Sequence, residues 1–187
     1  MNKNIQAAII AVATVMSVPA MAAGNTAQVV IDGIVIDDTE SCNITPGGAI
    51  TSNTIRLDDI RANELEKLAV NAPSMTFAKD VFYTIQDCKT GGRNFTGNLT
   101  VSMSGNFNVA MDNVLVNEIT TNPARNAAIT LVNYDNSRIK LDGSSTKTVA
   151  FTPGAPTLVR YKATYVKTAN GVTAGDIKGT SVFTVSY

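Results

Sequence analysis

Histidine and tryptophan are both absent from this chain of 187 residues. Without histidine there is no Ser-His-Asp or Cys-His catalysis, and the commonest zinc ligand is missing. Charge is sparse and balanced, with 15 Lys and Arg against 15 Asp and Glu. Fifteen basic residues less Lys3 leave 14 against 15 acidic ones for the rest of the chain. No basic field is available to attract nucleic acid or an anionic membrane. No phosphate-binding loop or nucleotide fingerprint occurs. Past the first two dozen residues no apolar run is long enough for a membrane helix.

The beginning of the chain reads as a secretory signal peptide. Lys3 is the only charge before Asp32, and Ala7 to Met16 form the apolar run AAIIAVATVM. Ala20-Met21-Ala22 then supplies a small-x-small cleavage site. We expect residues 1–22 to be removed, with a cut after Ala23 as the alternative. A membrane anchor is the competing reading, and the shortness of the run opposes it. About 165 residues would remain, enough for one domain with a real core. The two cysteines, Cys42 and Cys88, would then most simply form one disulfide. It would close a loop of about 45 residues and contribute about 4 kcal/mol. Free or metal-binding thiols are the other reading, but no further soft ligand accompanies them.

What is abundant is alternation with period two. Leu99, Val101 and Met103 alternate with Thr100, Ser102 and Ser104. Val159, Tyr161, Ala163 and Tyr165 share one face, opposite Leu158, Arg160, Lys162 and Thr164. Ile139 and Leu141 face one way, as do Val149 and Phe151. Phe183, Val185 and Tyr187 are in phase at the end. Thr, Val and Ile dominate these runs, as half-buried pleated surfaces favour. Turn residues separate them at Pro46–Gly48, Gly91–Gly92, Asp135–Ser137, Asp142–Gly143, Pro153–Gly154 and Asn170–Gly171. Such spacing predicts an antiparallel sandwich or barrel. Only Asp58 to Val70 invites a helix, and Pro73 stops it soon after.

One stretch, TAQVVIDGIVIDDTESC from Thr26 to Cys42, has no obvious partner. Ala27, Val29, Ile31, Gly33 and Val35 form an alternating face within it. An isolated strand leaves its backbone groups unsatisfied, so it must pair within its own domain or with another. It could also run as one long first strand into Cys42.

Taken together, these features resemble the chaperone–usher fimbrial (pilus) subunits, in particular the type 1 fimbrial protein family. The residues that carry the resemblance are an arm with Gly33 ahead of Cys42 and the segment KDVFYTIQDC from Lys79 to Cys88. The latter looks like the family's F-x-I-x-x-C segment. The C-terminal stretch is the most specific piece, with an aromatic-rich strand, the Thr173-Ala174-Gly175 turn, and an alternating last strand ending at Tyr187. The resemblance implies an all-β, incomplete immunoglobulin-like sandwich completed by donor-strand exchange. Chaperone–pilin complementation is itself a standard example of strand addition. It also implies a donor-strand arm at 23–36, a pilin domain at 37–187, and a groove edge that a periplasmic chaperone would engage at Phe183, Val185 and Tyr187. The donor residues would be Ala27, Val29, Ile31, Gly33 and Val35. Implied partners are copies of the chain or related subunits, the chaperone and an outer-membrane usher. No cofactor, metal or catalytic residue is expected. Localisation would be through the periplasm to an extracellular surface fimbria.

The remaining candidates are weaker. Asp37-Asp38 and Asp58-Asp59 would need further oxygens to bind calcium and read as solvated turn charges. Asn43, Asn94 and Asn98 begin glycosylation sequons, a short and common pattern. The leading reading is a structural fibre subunit. The alternative is a minor tip adaptor or an adhesin binding a host receptor. A hydrolytic enzyme is disfavoured by the missing histidine and the lack of a nucleophile motif.

Overall fold

The computed structural model describes residues 27–32 and 40–187. Two sheets pack face to face. The first holds β1 (Ala27–Asp32), β3 (Ile50–Thr51), β4 (Thr54–Leu57), β7 (Gly97–Gly105), β11 (Asp142–Phe151) and β13 (Ile177–Ser186). Its strand order is β11-β7-β13-β1-β4-β3. The second holds β2 (Glu40–Gly48), β5 (Lys79–Thr90), β6 (Arg93–Asn94), β8 (Phe107–Asn108), β9 (Met111–Leu115), β10 (Ala127–Asn133) and β12 (Thr157–Lys167). Its order is β2-β5-β12-β10-β9-β8, with β6 paired to β5. The architecture is an immunoglobulin-like β-sandwich.

Alternation places the core. Leu99, Val101 and Met103 of β7 are fully buried, as are Val159, Tyr161, Ala163 and Tyr165 of β12. They meet Val81, Tyr83 and Ile85 of β5 and Phe183 and Val185 of β13 between the sheets. Leu158 and Arg160 face solvent, as the period requires. Two segments depart from simple alternation. β10 is buried along nearly its whole length, because Ala128 joins Val114 and Val166 in a second small cluster on the other face. Thr164 is buried because the segment before β5 lies against β12, where its hydroxyl donates to the Ser74 carbonyl.

Pro46–Gly48, expected as a turn, instead continues β2 and pairs with Tyr83, Phe82 and Val81. Proline is tolerated there because β2 is the edge strand of its sheet. The chain leaves the sheet only at Gly48, whose φ of 76° suits glycine and whose added Cβ would lie 2.5 Å from the Asp80 carbonyl oxygen. The helical stretch contracts to α1 (Ala62–Glu66). Its Glu66 carboxylate accepts the backbone N–H groups of Gly171 and Val172. Those bonds, the one from Val172 foremost, hold the carboxyl below its ordinary range.

Cys42 and Cys88 form a disulfide between neighbouring strands β2 and β5. Their separation in sequence is 46 residues. Replacing both by serine should therefore cost about 2–4 kcal/mol, mainly by freeing the unfolded chain. Urea denaturation of the oxidised protein against this variant would measure it, and equal midpoints would contradict the expectation.

Candidate functional site: a strand position at a seam

The unusual feature of the fold is where β1 sits. The first strand in sequence lies next to the last, and parallel to it. Ala27 to Asp32 pair with Ile177 to Val182 of β13. On its other side β1 runs antiparallel to β4, with Ala27 opposite Leu57 and Val30 opposite Thr54. β13 and β4 are not hydrogen-bonded to each other, and among the described residues β1 alone joins them. The sheet therefore has a seam one strand wide, and a segment from the far N-terminal side of Cys42 occupies it.

The register agrees with the alternation read from the sequence. Ala27, Val29 and Ile31 stand opposite Ile177, Gly179 and Ser181, and Ala27 and Val29 stand opposite Leu57 and Ile55. Those positions of β13 and β4 are the buried ones. Gly33 and Val35 lie outside the described residues, as do the leader and the start of the arm. Among the described residues, β13 from Phe183 to Ser186 has no pairing partner on its β1 side. Its other edge pairs with β7.

Phe183, Val185 and Tyr187 divide into two environments. Phe183 and Val185 are buried. The Phe183 ring stacks on Tyr83 of the opposite sheet, with centroids 4.0 Å apart, and Tyr161 meets it edge-on at 6.3 Å. Tyr187 is half-exposed, with its ring 4.7 Å from Phe95 and its hydroxyl donating to the Lys89 carbonyl. The two phenols of the stack differ from ordinary tyrosine. Burial pushes Tyr161 up to about 12, and it pushes Tyr83, beside Tyr161, higher still.

At the Ile177 end of the seam a small apolar hollow of about 30 Å³ is lined by Ile60, Leu65, Ala124, Tyr165, Val172 and Ile177. The Thr173-Ala174-Gly175 segment closes it. Gly175 has no room for a side chain there, since an added Cβ would fall 2.4 Å from the Ala124 nitrogen. The segment singled out in the sequence is therefore a backbone-to-backbone contact that sets where β13 begins. The hollow, the α1 anchoring and the seam's parallel pairing have no signature in the sequence pattern. They depend on contacts between residues over a hundred positions apart, such as Glu66 with Val172.

The chain belongs to the fimbrial protein family, whose profile matches residues 29–187. Among solved structures it is similar to the Burkholderia pseudomallei antigen and type I fimbria protein. That likeness has 20% identity over 87% of this chain and 94% of the other, with a TM-score of 0.55. It is also similar to the P pilus rod subunit PapA, at 19% identity over 78% and 98%, with a TM-score of 0.57. A chaperone–usher pilus solved in connection with rod uncoiling matches at 21% identity over 83% and 91%, with a TM-score of 0.56. Curated proteins offer no match to the sequence.

Proposed function

We infer that this fimbrial protein is a structural subunit that polymerises by passing its N-terminal arm into the seam of a neighbouring copy. The observation that carries this reading is the position of β1, a strand that among the described residues alone joins β13 to β4 and precedes Cys42 in the chain. The position is filled by register and backbone pairing, so a strand of the same sequence from another copy fits it equally well. Donor residues on this reading are Ala27, Val29, Ile31, Gly33 and Val35. The part of β13 from Phe183 onward, left without a partner on that side among the described residues, is where the arm's continuation at Gly33 and Val35 would run. Before assembly an unfilled seam is an exposed strand edge, which invites aggregation. A periplasmic chaperone holding the edge near Phe183, Val185 and Tyr187, and an outer-membrane usher receiving the subunit, follow from that hazard.

The test is the oligomer ladder. Fibres of the wild-type protein should run as detergent-resistant oligomers that collapse to monomer only on heating, because releasing an arm uncovers a core. Ile31→Asp in the arm should remove the ladder while leaving the disulfide-bonded domain able to accept a wild-type arm. A full ladder from Ile31→Asp subunits would refute the assignment.

A further inference from the structure

Two dipeptides of this chain are chemically unstable by nature. An asparagine side chain can be attacked at Cγ by the backbone nitrogen of the next residue. The attack is least hindered where the next side chain is absent or short. Asn170-Gly171 is the chain's single Asn-Gly pair, and Asn136-Ser137 is its single Asn-Ser pair. Both lie on exposed turns, where water reaches them.

The two turns are held by the same arrangement. The Gly171 N–H donates to Glu66 Oε2 at 3.1 Å, and the Ser137 N–H donates to Asp135 Oδ1 at 2.9 Å. In each turn the nitrogen that would attack has its proton on a carboxylate. A lysine holds the other group. Lys167 Nζ donates to Asn170 Oδ1 at 3.2 Å, and Lys162 Nζ donates to Asn136 Oδ1 at 2.7 Å. Both carboxyls sit below their ordinary range, Glu66 chiefly through the Val172 N–H and Asp135 chiefly through the Ser137 hydroxyl. Both are therefore ionised at neutral pH. The ammonium draws electrons from the amide, so Cγ is left electrophilic and only the nitrogen is withheld. A backbone nitrogen attacks after its proton has gone to a solvent base. A carboxylate on that N–H opposes the loss twice: a charge-assisted hydrogen bond holds the proton, and the negative charge repels the amide anion.

We propose that Asn170 and Asn136 are latent sites of succinimide formation, each kept intact by the carboxylate on the following N–H, Glu66 for the first and Asp135 for the second. In the withheld reaction the deprotonated nitrogen of Gly171 or Ser137 bonds to Cγ. Nδ2 takes a proton from water and leaves as ammonia. Water then opens the cyclic imide at either carbonyl, giving aspartate or isoaspartate, with no electron transfer. Isoaspartate lengthens the main chain by a methylene. At 170 that change falls in a turn whose Asn170 and Gly171 carbonyls accept from Asn126 Nδ2 and whose Val172 N–H lies on Glu66. The Thr173-Ala174-Gly175 segment that sets the start of β13 follows directly. Either product also places a second carboxylate beside Glu66. The guarded turns do not rest on the polymerisation reading.

Peptide mapping by mass spectrometry, after incubating the oxidised protein in warm, mildly alkaline buffer, measures conversion at each asparagine. The wild-type protein should keep both over the time in which a free peptide of residues 167–173 is largely converted. Glu66→Ala should convert Asn170 about tenfold faster than wild type and leave Asn136 at the wild-type rate. Asp135→Ala should do the reverse, so the untouched site in each variant reports any general loosening. Glu66→Gln keeps an acceptor without the charge and should fall between. It carries the test at Asn170 if Glu66→Ala does not fold. Wild-type conversion as fast as the peptide, a folded variant whose own site converts no faster than in wild type, or acceleration of both sites together would each overturn the proposal.

Discussion

Deleting residues 23–36 should abolish the cooperative melting of the subunit, and an added Ala23–Asp37 peptide should restore it. The reason is the bonding of β1. Among the described residues it supplies the only ladder that ties the β3–β4 hairpin to β13. Without it, Ile55 and Leu57 of β4 and Ile177 of β13, all buried now, lose their neighbours across the seam. Each such side chain contributes about 1.5–3 kcal/mol when buried. Losing three reaches the whole stability of many domains, about 5–15 kcal/mol. The peptide should raise the melting temperature in proportion to the logarithm of its concentration, as a ligand of the folded state does. A peptide carrying Ile31→Asp should not. A truncated protein that melts like the full chain would show that β1 is dispensable, and the polymerisation reading would fall with it.

The same geometry sets up a competition. In the single chain the arm fills its own seam, so a donor for a neighbour must first leave home. Intramolecular pairing has the advantage of a high effective concentration set by the short connection from Asp32 to Glu40. It has the disadvantage of six parallel pairs along β13, a slightly weaker arrangement than antiparallel ones. On the polymerisation reading, a self-closed subunit is then a slow-exchanging monomer, and assembly is governed by the rate at which the arm is released.

Much of this was legible in the residues, and the part that was not has a physical cause. The buried faces of β7, β12 and β13 follow from strict alternation, because a strand's side-chain period is two whatever its partner. The Cys42–Cys88 bond follows from a lone pair of cysteines in a chain whose opening residues read as an export leader. The arm's alternating face was visible too, but alternation says nothing about direction or neighbour. A strand of Ala, Val and Ile satisfies a parallel neighbour or an antiparallel one, in the same chain or another. Only the long-range pairing of Ala27 with Ile177 settles where this chain puts it. Pro46–Gly48 misled for a related reason, since its turn-like composition is compatible with an edge strand.

Phe183→Ala should be the most damaging single substitution in β13, at about 3–5 kcal/mol. Phe183 is the contact by which the last strand reaches across to the other sheet. Its ring lies nearly parallel to Tyr83, 3° apart in plane, and Tyr161 closes the third side. Truncation leaves a cavity between two tyrosines and forfeits the ring contacts besides. The melting temperature should fall by on the order of 10 °C. Tyr83→Phe separates the stack from the hydroxyl. That hydroxyl is buried without a partner, so its removal should cost less than about 1 kcal/mol or even stabilise. The phenols add a pH signature. Tyr83 and Tyr161 ionise freely only in the unfolded chain, because burial raises both in the folded one. Stability should therefore fall as pH rises past about 10, the ordinary tyrosine value, and less steeply in Tyr83→Phe. Thermal melts of both variants at neutral and alkaline pH decide the matter. A Phe183→Ala protein as stable as wild type, or a Tyr83→Phe protein as fragile as Phe183→Ala, would mean that the ring stack does not clamp the two sheets.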